Sequence, residues 1–187
     1  MNNLNWRKLF IAGALAGLMS ASFHGQAEDA SNLTLNFHEP EKFTDIRPAN
    51  ESRARFRERT LAGFERIFEE FAAELPEGYQ WHVTVTDIDL AGDVNPMYRR
   101  NGQEIRVVKE LYSPRVEFNY ELRDAYNELV ASGEENLRDM GFMQSPRMAG
   151  PRHQELRYEY TMLKRWFDRN LMPEVEAHQK KLPKVSE

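Results

Sequence analysis

Three aspartates, Asp87, Asp89 and Asp93, fall close together near the middle of the chain. Asp87 and Asp89 lie two apart, so in an unbroken strand both carboxylates share a face, and a hard divalent cation needs several such oxygens. The spacing lacks the ordered acidic positions and the closing glutamate of a calcium loop. Aspartates also end strands and build turns by accepting hydrogen bonds from nearby backbone. A turn is the expected role, and a metal site is the alternative. The second cluster is basic: Arg53, Arg55, Arg57 and Arg59 crowd the start of a helical pattern. That end of a helix dipole favours anions, so four cations there are locally unfavourable. Glu51 with Arg55, and Arg55 with Glu58, stand at helical spacing and can offset part of this. A solvated face is the plain expectation; an anionic ligand or an acidic partner surface is the functional one.

Other chemistry is thinly represented. His24, His38, His82, His153 and His178 are scattered, and no pair has metal-ligand spacing. A serine-nucleophile motif, a phosphate-cradling glycine loop and a zinc helix signature are all missing, and no cofactor is implied. The chain has no cysteine, which removes disulfides, thiolate metal sites and thiol catalysis. Its net charge of −5 argues against a nucleic-acid partner, whose binder carries a basic surface.

The elements that must position these residues begin after an export signal. Arg7 and Lys8 precede the apolar run Leu9 to Met19, and Gly25-Gln26-Ala27 puts small residues where a signal peptidase cuts. The apolar run is too short to span a bilayer, which takes roughly 20 apolar residues. Residues 1–27 are therefore expected to be removed on export to the periplasm. The mature chain would have no transmembrane segment, and no cysteine follows for lipid attachment. Loss of Arg7 and Lys8 makes it more negative still.

Residues 28–173 are expected to form one domain, with 174–187 as a charged tail. Leu33, Leu35 and Phe37 alternate with polar residues, the period of a half-buried strand. From about Arg53 the period changes: Leu61, Phe64, Phe68, Phe71 and Leu75 recur at steps of three and four, an amphipathic helix stopped by Pro76-Glu77-Gly78. Tyr79, Trp81, Val83 and Val85 form a second strand. Its parity switches to Ile88 and Leu90 after Thr86, which predicts a bulge or the strand's end there. Residues 91–102 have the composition of a polar loop, and Ile105 to Tyr112 is short and extended. Val116, Phe118, Tyr120 and Leu122 make the cleanest strand, followed by a hairpin turn and a less apolar strand nearer an edge. Helical spacing returns at Leu156, Tyr160, Leu163 and Phe167 and is expected to stop at Pro173. The class is α+β: a mainly antiparallel sheet with two amphipathic helices packed on one face.

Several stretches, taken in order, carry a resemblance. They are Pro40 to Ile46, Thr84 to Asp93, Pro114-Arg115-Val116, Gly133 to Phe142, and Met162-Leu163 with Trp166-Phe167. Together the chain resembles domain-of-unknown-function family 3016, small secreted proteins of Gram-negative bacteria. The resemblance implies an exported single domain and lends no activity. The expected function is a non-enzymatic module that binds an envelope protein or another envelope component. The alternatives are a metal-dependent hydrolase using the aspartate cluster, or a small-ligand carrier. An enzyme would need a base, a nucleophile or metal, and a stabiliser brought together, whereas here only acids cluster and the basic cluster sits on another element.

Overall fold

Alternation makes the strands, and the sheet they form is the platform for everything else. The structure, a computed structural model, describes residues 32–146 and 148–181; the expected export signal lies outside the described residues. Strand β1 (Leu33–Phe37) leads through a crossover to helix α1 (Arg53–Ala72), which returns the chain to β2 (Gln80–Asp89). Strands β1 and β2 therefore pair in parallel, Leu35 opposite Val83. A two-stranded excursion, β3 (Asp93–Arg100) and β4 (Gln103–Val107), precedes β5 (Arg115–Arg123) and β6 (Leu129–Arg138). The main sheet runs β1-β2-β5-β6, with β5 antiparallel to both β2 and β6 and with β6 at an edge, as its weaker apolar pattern predicts. A register shift between Val85 and Asp87 marks the bulge anticipated at Thr86. The extra residue turns Ile88, instead of Asp87, onto the core face, where it is fully buried.

The helices cover one face of this sheet and the aromatic stripes fill the gap. Phe68 of α1 lies 5.5 Å from Trp81 and 6.0 Å from Phe118, ring centre to ring centre. Phe167 packs on Phe71 at 5.1 Å, and Trp166 stands edge-on to Phe118 at 4.9 Å. The opposite sheet face carries His82, Thr84, Asn119 and Glu134, which are exposed or half-buried. This is the two-layer α+β arrangement that the periodicity predicts.

Two stretches differ from expectation. Residues 91–102 are not a loop but supply β3 and the turn of a β3–β4 hairpin. Asn101 and Gly102 both take positive φ, 52° and 80°, the tight two-residue turn for which Asn-Gly is the strongest short signal. Pro96 masks the strand, since proline cannot donate to a ladder, and the register is irregular between Val94 and Arg99 where it sits. At the hairpin base Gly92 has φ 88°, and a Cβ there would meet the Val107 carbonyl oxygen at 2.8 Å. The second correction is at Pro173. Helix α2 (Arg157–Trp166) does not stop there; it passes through one wide turn, Phe167–Leu171, into α3 (Met172–Lys181). In that turn the Met172 amide reaches back five residues to the Phe167 carbonyl. Proline is then tolerated because it falls in the first turn of α3. Val175 is fully buried and His178 Nε2 lies 2.9 Å from Asp124 Oδ2, so the start of the expected tail is anchored to the β5–β6 turn.

Candidate functional site

A concavity of about 1020 Å³ lies between the first half of α1, the strap of residues 45–51, the base of the β3–β4 hairpin and the 3-10 turn Pro151–Leu156. Its walls carry six arginines, Arg47, Arg59, Arg66, Arg106, Arg152 and Arg157, against three glutamates, Glu51, Glu155 and Glu159. Four of the six are held by the protein. Arg106 forks onto Asp45 at 2.9 and 3.3 Å and also donates to the carbonyls of Arg47, Ala91 and Gly92. Arg59 makes two 2.8 Å bonds to Glu51 and one of 3.2 Å to Glu155. Arg47 reaches the Val94 carbonyl, and Arg157 the Tyr158 hydroxyl. Arg66 and Arg152 are exposed and have no hydrogen bond or ion pair among the described residues. Phe56, Leu90, Leu156 and Tyr158 give the walls an apolar component.

Glu159 sits on α2, only 2% exposed, and its Oε1 accepts the Ala91 amide at 2.8 Å. Burial pushes its carboxyl up from the ordinary range, against that hydrogen bond and the charges of Arg106 and Arg157. A raised carboxyl favours folding below its unfolded pKa and withdraws that contribution as pH rises toward its folded value. Glu159→Gln should therefore stabilise the protein more at pH 8 than at pH 4, read as the difference in Tm from the unmutated chain. An equal difference at both values would show that Glu159 is not held toward neutrality.

His153, in the 3-10 turn, is 5% exposed and stacks on Tyr160 at 4.7 Å. Its Nε2 lies 2.7 Å from Glu70 Oε2, and the Tyr160 hydroxyl donates to Glu70 Oε1 at 2.6 Å. These two bonds, the Tyr160 one foremost, hold the Glu70 carboxyl below its usual range. The Nδ1 atom of the same ring makes no hydrogen bond among the described residues, and the ring lines the cleft.

The arginine cluster singled out from sequence is dispersed, whereas Asp87 and Asp89 stay two apart on one face of β2 near Arg115. Of the four helix-start arginines only Arg59 lines the cleft; Arg53 and Arg55 are exposed, Arg57 is half-buried, and none of the three makes an ion pair among the described residues. Glu51, spaced for Arg55, accepts its hydrogen bonds from Arg59 instead. Asp87 is tied to Arg115 at 2.7 Å and to the amide and hydroxyl of Thr44, each at 2.7 Å. Asp89 and Asp93 line a smaller hollow of about 250 Å³ with Asp45, Arg47 and Arg138. Burial first, then the charge of Asp45, push the Asp89 carboxyl up. Among the described residues the acid-and-histidine group close enough to share a cation is a different one, Asp124, Glu128 and His178. There Asp124 already accepts two backbone amides and the His178 contact. No helix among the described residues is long and apolar enough to cross a membrane.

Comparison with known proteins adds a family and nothing finer. A family model described as Protein of unknown function (DUF3016) matches residues 31–169, which bears out the resemblance read from the sequence. No curated protein and no solved structure matches the chain.

Proposed function

The chain belongs to this family of unknown function, and from that premise we propose that it is an exported, periplasmic, non-enzymatic binding module that takes an anionic ligand in the arginine-lined cleft. The observation that carries the reading is the charge of that cleft: six guanidinium groups face three carboxylates in a chain whose net charge is −5. Burial favours the neutral form of one of those carboxylates, Glu159. A cleft of one sign with low-dielectric walls concentrates ligands of the other. Its volume is that of a small-molecule site, where ligand pockets run to roughly 1,000 Å³. Arg66 and Arg152 are the two exposed arginines there that make no hydrogen bond or ion pair among the described residues, the Arg152 charge acting on Glu70 from a longer distance.

The test uses protein recovered from the periplasm, with a mass corresponding to a start at Glu28. Inorganic phosphate and citrate should raise its Tm, and sodium chloride should weaken the effect, because exposed charges are screened over about 8 Å at physiological ionic strength. Combined Arg66→Ala and Arg152→Ala should cut anion affinity about tenfold or more with the fold intact, since a charge-assisted pair contributes roughly 1.5–3 kcal/mol. A melt unmoved by any anion at millimolar concentration would refute the proposal.

A further inference from the structure

The cleft is more than a basic patch, because its arginines are interleaved with aromatic rings on two facing walls. On the α1 wall the Arg59 guanidinium lies over the Phe56 ring at 5.3 Å. On the α2 wall the Arg157 guanidinium lies over the Tyr158 ring at 4.6 Å, with Phe142 closing the edge of that ring at 4.8 Å. Both pairs line the same concavity. Phe56 and Tyr158 are only half-buried, so each leaves part of its ring to the cleft. A guanidinium plane stacks on rings as well as binding anions, so each pair offers a flat, polarisable surface suited to another flat group. The arginines of these pairs are already held, Arg59 by Glu51 and Glu155, Arg157 by the Tyr158 hydroxyl. Arg66 on α1 and Arg152 on the Pro151–Leu156 turn remain to take a charge, and His153 lines the same concavity.

Resting on the anion-binding reading above, we infer that the ligand is an aryl oxyanion, a planar ring bearing a phosphate or carboxylate. Its charge is taken by Arg66 and Arg152, and its ring lies along the guanidinium–aromatic pairs of the two walls. An aliphatic anion would satisfy the two arginines equally but would leave the flat surfaces of Phe56 and Tyr158 without a matching partner. A neutral ring would fill the space and leave the cationic end uncompensated.

Calorimetric titration of the full exported protein separates these cases, using phenyl phosphate, butyl phosphate, inorganic phosphate and benzyl alcohol as probes. Phenyl phosphate should bind about tenfold more tightly than butyl phosphate, the size of effect expected from one aromatic stack. Benzoate should likewise exceed acetate. Phe56→Leu keeps an apolar body at that position and should reduce the preference for phenyl over butyl phosphate, the Tyr158 pair retaining the rest. Should Phe56→Leu lower the melting temperature, the ratio of the two esters on the unmutated protein still decides. Equal affinity for phenyl and butyl phosphate, both weakened by Arg66→Ala with Arg152→Ala, would overturn the aryl assignment and leave the anion site standing. Binding of benzyl alcohol as tight as that of phenyl phosphate, or no binding of any anion, would overturn both.

Discussion

Phe68→Ala is expected to lower the free energy of unfolding by about 3–5 kcal/mol, the range for truncating a buried phenylalanine. Phe68 is fully buried at the centre of the interface between α1 and the sheet. Its ring meets Trp81 of β2 at 5.5 Å and Phe118 of β5 at 6.0 Å, so removing it opens a cavity lined by two large rings that cannot collapse freely. The cost is the lost transfer free energy plus the contacts those rings forfeit. The measurement is the urea midpoint with an unchanged slope. A loss below about 1 kcal/mol would mean that α1 presents a different face to the sheet.

Arg106→Ala should be the costliest polar substitution, about 3 kcal/mol, which is the scale for breaking a buried ion pair by removing one partner. The Arg106 side chain is 20% exposed and that of Asp45 15%, so the substitution strands a carboxylate with little access to water. It also orphans the carbonyls of Arg47, Ala91 and Gly92, which are drawn together by this one guanidinium. Those groups come from the strap after β1 and from the β2–β3 turn, while Arg106 itself is on β4. The substitution therefore partly detaches the hairpin from the strap, leaving the bonds of Arg47 to the Val94 carbonyl and of Asn50 to the Glu104 carbonyl. Arg106→Lys should recover only part of the loss, because an ammonium is a point charge and cannot serve the forked geometry. Denaturant midpoints give the energies, and hydrogen exchange at the amides of β3 and β4 reports the detachment. A cost under about 1 kcal/mol for Arg106→Ala would show that water replaces these bonds freely.

Features that depend on local period are legible in the order of residues alone. The step of three and four from Leu61 through Phe71 defines α1 and its buried stripe, and the alternation from Val116 to Leu122 defines β5. The change of parity after Thr86 narrows that position to a bulge or the strand's end, because a one-residue slip must turn every later side chain over, and the register shows the bulge. The order of such stretches also carries the family. The β3–β4 hairpin and the run through Pro173 were less legible, since Pro96 and Pro173 argue locally against elements that the surroundings sustain. In the first case an Asn-Gly turn does so, in the second a wide helical turn ahead of the proline.

The cleft arises from contacts between elements far apart in the chain. Arg59 is paired with Glu155, 96 positions away, and His153 with Glu70, 83 away. Spacing along α1 suggests Glu51 for Arg55, but the chain's entry into the helix delivers that carboxylate to Arg59. Asp87 and Asp89 share a face of β2, and Arg115 forms its ion pair with the first while burial and the charge of Asp45 raise the carboxyl of the second. A long flexible side chain can choose among partners from any element within its reach. Charge pairing therefore follows from how the layers close, whereas apolar periodicity is imposed by the backbone before they do.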